Sequence, residues 1–534
     1  MSWNAIVIGA GHNALVCACY LARDGLKVLV LEKRERVGGM ADTTALLPGV
    51  RVPTLAHTVG RLRPAVAREL RLSDHGLRMV QPDAHVFAPQ PDGRSLTLWG
   101  SVERTAAEMA SGKSVAAADA NAYLLADAKY RSLAGALAAV MAAAPPDLAS
   151  PTMADALAGL KQGLRAQWRG GTGAADLLRV LPMAVNDLVG EWFEGDALRA
   201  AVAYRGVLFS SFGPLAPGTA GVLLTDGGGT DGGLAGQSVF ARGGPGAVSE
   251  ALAAAARGLG VEIRTGADVV AVRHSDDAVS GVTLADGAEI DASVVVSGAD
   301  PRTTLLKLLP PEVVGPRLGW RAGNIRANGA TAKVNFALST LPKFEAAGGE
   351  GDAHRLRGRI VIAPSMRSLI DATTPFKYGE PPADPLLEVT IPTLVDPGLL
   401  ADKRRGRAKT VKHVVSVIAQ AIPATLAGDA VGDAVLATLE RYAPGITDLV
   451  VERQVLTPAD IEMEYGASGG HPMHAEIGLD QWFEWRPLHG YGRYRTPLRG
   501  MYMTGAGTHP GGGVTGQPGV LAAREILTDQ HLRK

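Results

Sequence analysis

Two glycine-rich turns at opposite ends of the chain carry the clearest chemistry in the sequence. The first, Gly9-Ala10-Gly11-His12-Asn13-Ala14, follows the apolar run Ala5–Ile8, and Glu32 comes about twenty residues later. Gly9 permits a tight reversal. Gly11 lets the backbone approach a pyrophosphate, which then meets unpaired helix amides and the positive end of a helix dipole. Glu32 stands where an acid accepts hydrogen bonds from a ribose diol. The second turn, GAGTHPGGGVTGQPG, spans Gly505 to Gly519, between Met501–Thr504 and the helix-like Val520–Leu527. It too predicts backbone amides brought close to a ligand. Titratable side chains supply further candidates. His57 changes charge near neutral pH and suits acid–base work, and His509 lies inside the closing turn. In the strand-like Ala330–Leu338, alternation sets Lys333 and Asn335 on one face and Val334 and Phe336 on the other.

The elements that position these residues are also legible. Ala5–Ile8 reads as a strand buried on both faces. Asn13–Asp24 reads as a helix with a stripe at Leu15, Ala18, Leu21 and Ala22, and Gly25 caps it. Leu26–Leu31 is the second strand of a βαβ unit that ends at Glu32. The third glycine position of the first turn is Ala14, where helix and strand pack closely. Residues from Ser101 to about Ala200 are alanine-rich with helical period, broken at Pro145-Pro146 and Gly170-Gly171. Thr225–Gly233 reads as a flexible loop, with phosphate binding as the alternative. Gly243–Gly246 opens the helix Ala247–Gly258, followed by strands Val261–Arg264 and Asp268–Arg273. A hairpin, Val279–Leu284 with Glu289–Ala292, turns at Asp286-Gly287, and a separate buried strand begins at Val294.

With these motifs the chain resembles the phytoene desaturase-like FAD-dependent oxidoreductases. That group lies within the amine oxidase and glutathione-reductase-like flavoproteins, which include the pyridine nucleotide-disulfide oxidoreductase domain-containing type. The residues that carry the resemblance are GAGHNA, Glu32, Arg36-Val37-Gly38-Gly39, the block Gly243–Pro301 and the closing motif. It implies FAD, with NAD alone as the alternative that the Arg36–Gly39 extension disfavours. It implies contacts from Gly9, Gly11, His12, Asn13, Ala14, Glu32, Lys33, Arg36, Gly38, Gly39 and Met40, and a Val269 backbone against the adenine. Gly505 and Ala506 would pass the ribityl and phosphate region. Val514 and Thr515 would begin a helix whose amides face the flavin N1–O2 edge. The implied fold is α/β, a glutathione-reductase-like Rossmann FAD domain built from the discontinuous segments 1–70, 236–310 and 491–534. An α+β substrate domain would supply a helical cap at 71–235 and a sheet part at 311–490.

The resemblance also implies a reaction: oxidation of a C–C or C–N bond of a lipophilic or aromatic small molecule by hydride transfer to flavin N5. A redox-neutral flavin isomerase and a catalytically silent flavin-binding protein are the alternatives. Amine oxidases hold a strand lysine beside the flavin, and Lys333 is similar in place; a lysine snorkelling at a domain interface is the competing reading. His57 is either an acid–base group near the flavin or a structural hydrogen-bonding residue. His509 either reaches the isoalloxazine edge or packs. Many relatives carry an Asp early in the closing motif. Ala506 stands there here, which favours the desaturase-like branch, whereas Lys333 leans toward the amine oxidases.

Composition removes other classes. Lys+Arg and Asp+Glu are both 53, so formal charge is zero and no basic surplus points to nucleic acid. With 534 residues, 46% hydrophobic and 20% charged, the chain suits two or three domains with a large core. Cys17 and Cys19 diverge around a helix, which fits a reducing compartment and a cytoplasmic reading. The N-terminus lacks the basic region of a signal peptide. His471-Pro472-Met473-His474 has no accompanying carboxylate or thiolate cluster, so no metal site is expected and both histidines read as loop residues. No G-x-S-x-G elbow is present. The most apolar long run, Leu133–Pro146, is too short to span a bilayer, which leaves peripheral membrane contact open. Nothing in the pattern specifies an oligomeric state.

Overall fold

A computed structural model describes residues 3–111, 114–171, 173–227, 232–348, 353–401 and 405–531. Among these residues, two seven-stranded sheets organise an α/β architecture. In the first, Trp3–Ile8 is buried at every position but Asn4 and pairs parallel with Val28–Leu31 on one side and Glu289–Ser297 on the other. Glu262–Arg264 and Met501–Met503 extend the parallel sheet at its two ends. In the central strands, Ala5–Ile8 and Val28–Leu31 read as continuous apolar runs because both faces are covered. Ala5, Val7, Val28 and Val30 face one core with residues of the helices His12–Arg23, Gly246–Gly258 and Gln517–His531. Ile6, Ile8, Leu29 and Leu31 face another that includes Leu305, Leu308 and Leu318.

One expectation changes here. The hairpin arm at Glu289–Ala292 and the buried strand beginning at Val294 form a single strand, Glu289–Ser297. Its first residues pair antiparallel with Ala278–Leu284 and the remainder pairs parallel with Trp3–Ile8. One strand therefore serves both the hairpin and the parallel part of the first sheet.

The second sheet runs in the order Val450–Leu456, Thr331–Leu338, His413–Gln420, Leu386–Thr390, Arg359–Ile362, Ala84–Pro89 and Ser95–Trp99. Val334, Phe336, Val389 and Val417 pack on one face with Val431, Val435 and Leu439 of the helix Gly428–Glu440. The opposite face is polar yet buried. Lys333 is in register with Ile418, and Ile418 with Glu388, so these three side chains share it. That face lies against the segment around Pro53 and Leu55: Lys333 Nζ donates to the Leu55 carbonyl at 3.2 Å and Asn335 Nδ2 to the Pro53 carbonyl at 3.0 Å.

The alanine-rich region folds as a cap of helices, among them Ala120–Met141, Met153–Gly170 and Asp196–Val207, around one shared core. Small side chains such as Ala126, Ala136, Ala200 and Ala203 let the helices approach closely. Thr225–Gly227 end the helix Thr219–Gly227 instead of starting a loop, and residues 228–231 of the expected Thr225–Gly233 loop lie outside the described residues. No described helix is long and apolar enough to cross a membrane.

Candidate active site

A cavity of about 570 Å³ runs from the first glycine turn to the polar face of the second sheet. At its near end lie Gly9, Gly11, His12, Asn13, Ala14, Glu32, Lys33, Gly38, Gly39, Met40 and Val269. Gly9 has φ +88°, a conformation that favours glycine. Gly11 caps the helix His12–Arg23, and among the described residues no side chain caps the helix's free amides. A Cβ added to Gly9 or Gly11 would meet no protein atom within 4 Å, so the space before the turn is open. The second glycine pair is stitched to the first: Gly38 N donates to the Ala10 carbonyl at 2.9 Å, and a Gly39 Cβ would touch Gly11 at 3.4 Å. Glu32 is buried, and its carboxylate accepts from the Ala10 amide at 2.6 Å and the Arg34 amide at 3.0 Å. His12 Nε2 and Asn13 Oδ1 are buried with no protein partner. Burial, with His474 beside it, pushes His12 down to about 4 and keeps it neutral. Free amides, an acid fixed on the turn and open glycines fit a dinucleotide.

Two features of this end differ from expectation. Arg36 does not line the cavity. It is half-exposed and pairs with Asp42 at 3.3 Å. Arg34 lines the cavity instead, paired with Asp42 at 3.3 Å and Glu464 at 3.0 Å and lying 4.6 Å from the Tyr465 ring centre. The segment Glu32–Gly39 is irregular turn, so no strand or helix period fixes which basic residue faces the ligand.

Gly505, Ala506, Gly513 and Val514 of the closing stretch also line the cavity, whereas Thr515 does not. The expected helix start at Val514–Thr515 is corrected to Gln517. Val514 has φ +59°, outside the helical region, and Thr515 Oγ1 accepts from the Gln517 amide at 3.3 Å. Pro518, in the first turn of the helix, has no amide to leave unpaired there. The Ala506 carbonyl accepts two hydrogen bonds from buried Arg486, at 3.1 and 2.6 Å. His509 lies outside the cavity lining, its ring 6.2 Å from Phe483, and burial pushes it down to about 3.

The far end of the cavity is made of side chains. His57, Arg61, Asp226, Arg359 and Glu388 line it beside Leu208, Phe209 and Ile418. His57 Nδ1 lies 3.6 Å from Glu388 Oε1, an electrostatic contact longer than a hydrogen bond. Glu388 Oε2 accepts from Arg359 at 3.2 Å, and Arg359 also donates to Ser238 Oγ at 3.2 Å and the Ala235 carbonyl at 2.7 Å. Burial alone would raise the Glu388 carboxyl, but Arg359 and His57 hold it below the usual carboxylate range. Burial, with Lys333 adding to it, pushes His57 down to about 4, so its imidazole is neutral near pH 7. Burial also pushes Lys333 well below its usual value. Lys333 is not part of the lining; it reaches the wall from behind, at Leu55. Burial lowers Arg61, whose Nε has no hydrogen-bond partner. Its guanidinium lies where a Gly513 side chain would stand, so Gly513 admits it.

Sequence reasoning missed Arg34, Asp226, Arg359, Glu388 and His474, all of which line the cavity. A signal existed for two. Arg359-Ile-Val-Ile and Leu-Leu-Glu388-Val-Thr are buried-type strands that each carry one charge, a pattern that requires a partner.

The family model for flavin containing amine oxidoreductase matches residues 15–436. The chain is 33% identical to "Pyridine nucleotide-disulfide oxidoreductase domain-containing protein 2" of Rattus norvegicus, covering 99% of this chain and 94% of that protein. It is 25% identical to the neurosporene-forming phytoene desaturase of Rhodobacter capsulatus, over 98% of this chain and 93% of that one. Among solved structures, cyclohexylamine oxidase from Brevibacterium oxydans superposes with a TM-score of 0.56 at 16% identity, covering 100% of both chains.

Proposed function

The chain belongs to the flavin-containing amine oxidoreductase family, and from that premise we propose that its FAD-dependent oxidation acts on a C–C or C–N bond placed beside His57. The substrate is a lipophilic or aromatic small molecule with its apolar part against Leu208, Phe209 and Ile418 and a polar group at Arg61. The carrying observation is one continuous cavity, with a phosphate-type cradle at one end and the buried His57–Glu388–Arg359 cluster at the other.

Bound FAD supplies a two-electron acceptor. The chain's residues do the rest. Turning a saturated C–C or C–N unit into a double bond removes two hydrogens, one as a hydride that bound FAD would accept with both electrons and one as a proton. Neutral His57 accepts that proton, and ionised Glu388 stabilises the imidazolium that forms. Arg359 keeps Glu388 ionised and fixed. Arg61 orients the substrate through the donors that no protein group takes up. The cap and the second sheet keep water from the reacting bond.

Anaerobic mixing of the yellow protein with a panel of amines and of unsaturated hydrocarbons tests this. Bleaching of the flavin absorbance by a member of the panel is expected. Product formation without bleaching would replace oxidation by isomerisation.

A further inference from the structure

The helix Met153–Gly170 in the cap is inside out. Among the residues whose burial is described, the buried ones are Asp155, Gln162 and Ala166. Its large apolar residues, Met153, Leu157, Leu160, Leu164 and Trp168, are 79%, 63%, 63%, 63% and 83% exposed. Their spacing of four, three, four and four residues places all five on one stripe, opposite the face that packs on Ala120–Met141. Globular proteins turn such a stripe inward, because large apolar side chains stabilise the fold by leaving water. A contiguous exposed stripe therefore marks a surface that something covers. Leu178 on the helix Gly173–Val180 and Leu125 on Ala120–Met141 are also exposed, at 79% and 67%.

Charge identifies the occupant. Lys161 and Arg165 are exposed along one flank of the stripe. The only acidic residue of the helix, Asp155, is buried and engaged by Thr152 at 2.6 Å and Arg493 at 3.0 Å. A second copy of this helix would bring like charges together with no acid on it to neutralise them. An anionic lipid surface meets every part of the pattern: leucines for the acyl boundary, a tryptophan for the interface, and basic residues for the headgroups. At 1.5 Å per residue the helix is about 27 Å long and lies in the plane of the surface.

We propose that the exposed face of Met153–Gly170 docks the enzyme onto an anionic lipid surface. The test is flotation of the holoenzyme with phosphatidylcholine vesicles, with and without phosphatidylglycerol. Wild type is expected to float with the anionic vesicles, and a Leu160→Glu/Leu164→Glu variant to bind them at least about tenfold more weakly. Both side chains face solvent, so the variant's flavin spectrum should be unchanged. Lys161→Glu/Arg165→Glu should remove the preference for phosphatidylglycerol. Brominated lipid gives a readout that needs no loss of binding: emission present in wild type and missing from Trp168→Phe should be quenched. Wild type that floats with neither vesicle overturns the proposal. So does flotation that the leucine variant leaves undiminished, or self-association of wild type that the leucine variant abolishes without any flotation.

Discussion

At one end of the cavity the walls are built around glycine backbone; at the other they are built around charged side chains. The near end offers open glycines, free helix amides and one carboxylate tied to the turn. The far end offers two acids, two arginines and a histidine, brought together from the closing of the first glycine segment, the cap and two strands of the second sheet. Backbone recognises what every dinucleotide shares, whereas buried side chains are costly to keep and are specific to one reaction. In the proposed function, cofactor binding belongs to the near end and chemistry to the far end, so variants at one end should leave the other's property intact.

The largest effect is expected at His57. Replacing it with Gln should slow flavin reduction by an active substrate about 10²–10⁴-fold while FAD content stays constant, measured by anaerobic stopped-flow absorbance. Arg359→Met strands the Glu388 carboxylate in the interior, and chemical denaturation should show a loss of about 3–5 kcal/mol. Equal stability of the two proteins would mean that the cluster is not a coupled ion pair.

Acid should weaken the apoprotein before base does. Burial lowers His12 and His57 from 6.5 to about 4 and His509 to about 3. The unfolded chain takes up these protons at 6.5 and the folded chain only near 4 and below. Their contribution is therefore complete above pH 6.5 and is lost as pH falls from 6.5 toward 4. Melting temperatures across that window should fall, and less steeply in His57→Gln. The smallest effect is expected at Glu32. Glu32→Gln removes a charged acceptor from the Ala10 turn and should weaken FAD affinity about tenfold in an absorbance titration, with no change in reduction rate once FAD is bound.

The same contrast governs what could be read from the sequence. The near end was legible because turn, helix, second strand and Glu32 are contiguous, and one βαβ unit positions them all. Where that segment becomes irregular, legibility fails: Arg34, not the expected Arg36, lines the cavity. Val514 adopts φ +59°, which a β-branched residue rarely does, so the sequence pattern starts the helix two to three residues before Gln517. The far end depends on strand register. Lys333 meets Glu388 only across Ile418, a pairing between residues far apart in the chain. Alternation correctly put Lys333 and Asn335 on one face, but it could not reveal which acid shared it.

The visible absorption spectrum of purified wild type beside Gly11→Val tests the division most directly. A Cβ at Gly11 meets no protein atom within 4 Å beyond its chain neighbours, so the variant should fold as wild type does by circular dichroism while filling the phosphate cradle. The account predicts flavin bands and heat-released FAD from wild type and a folded, colourless variant. A colourless wild type, or a Gly11→Val protein as yellow as wild type, would contradict it.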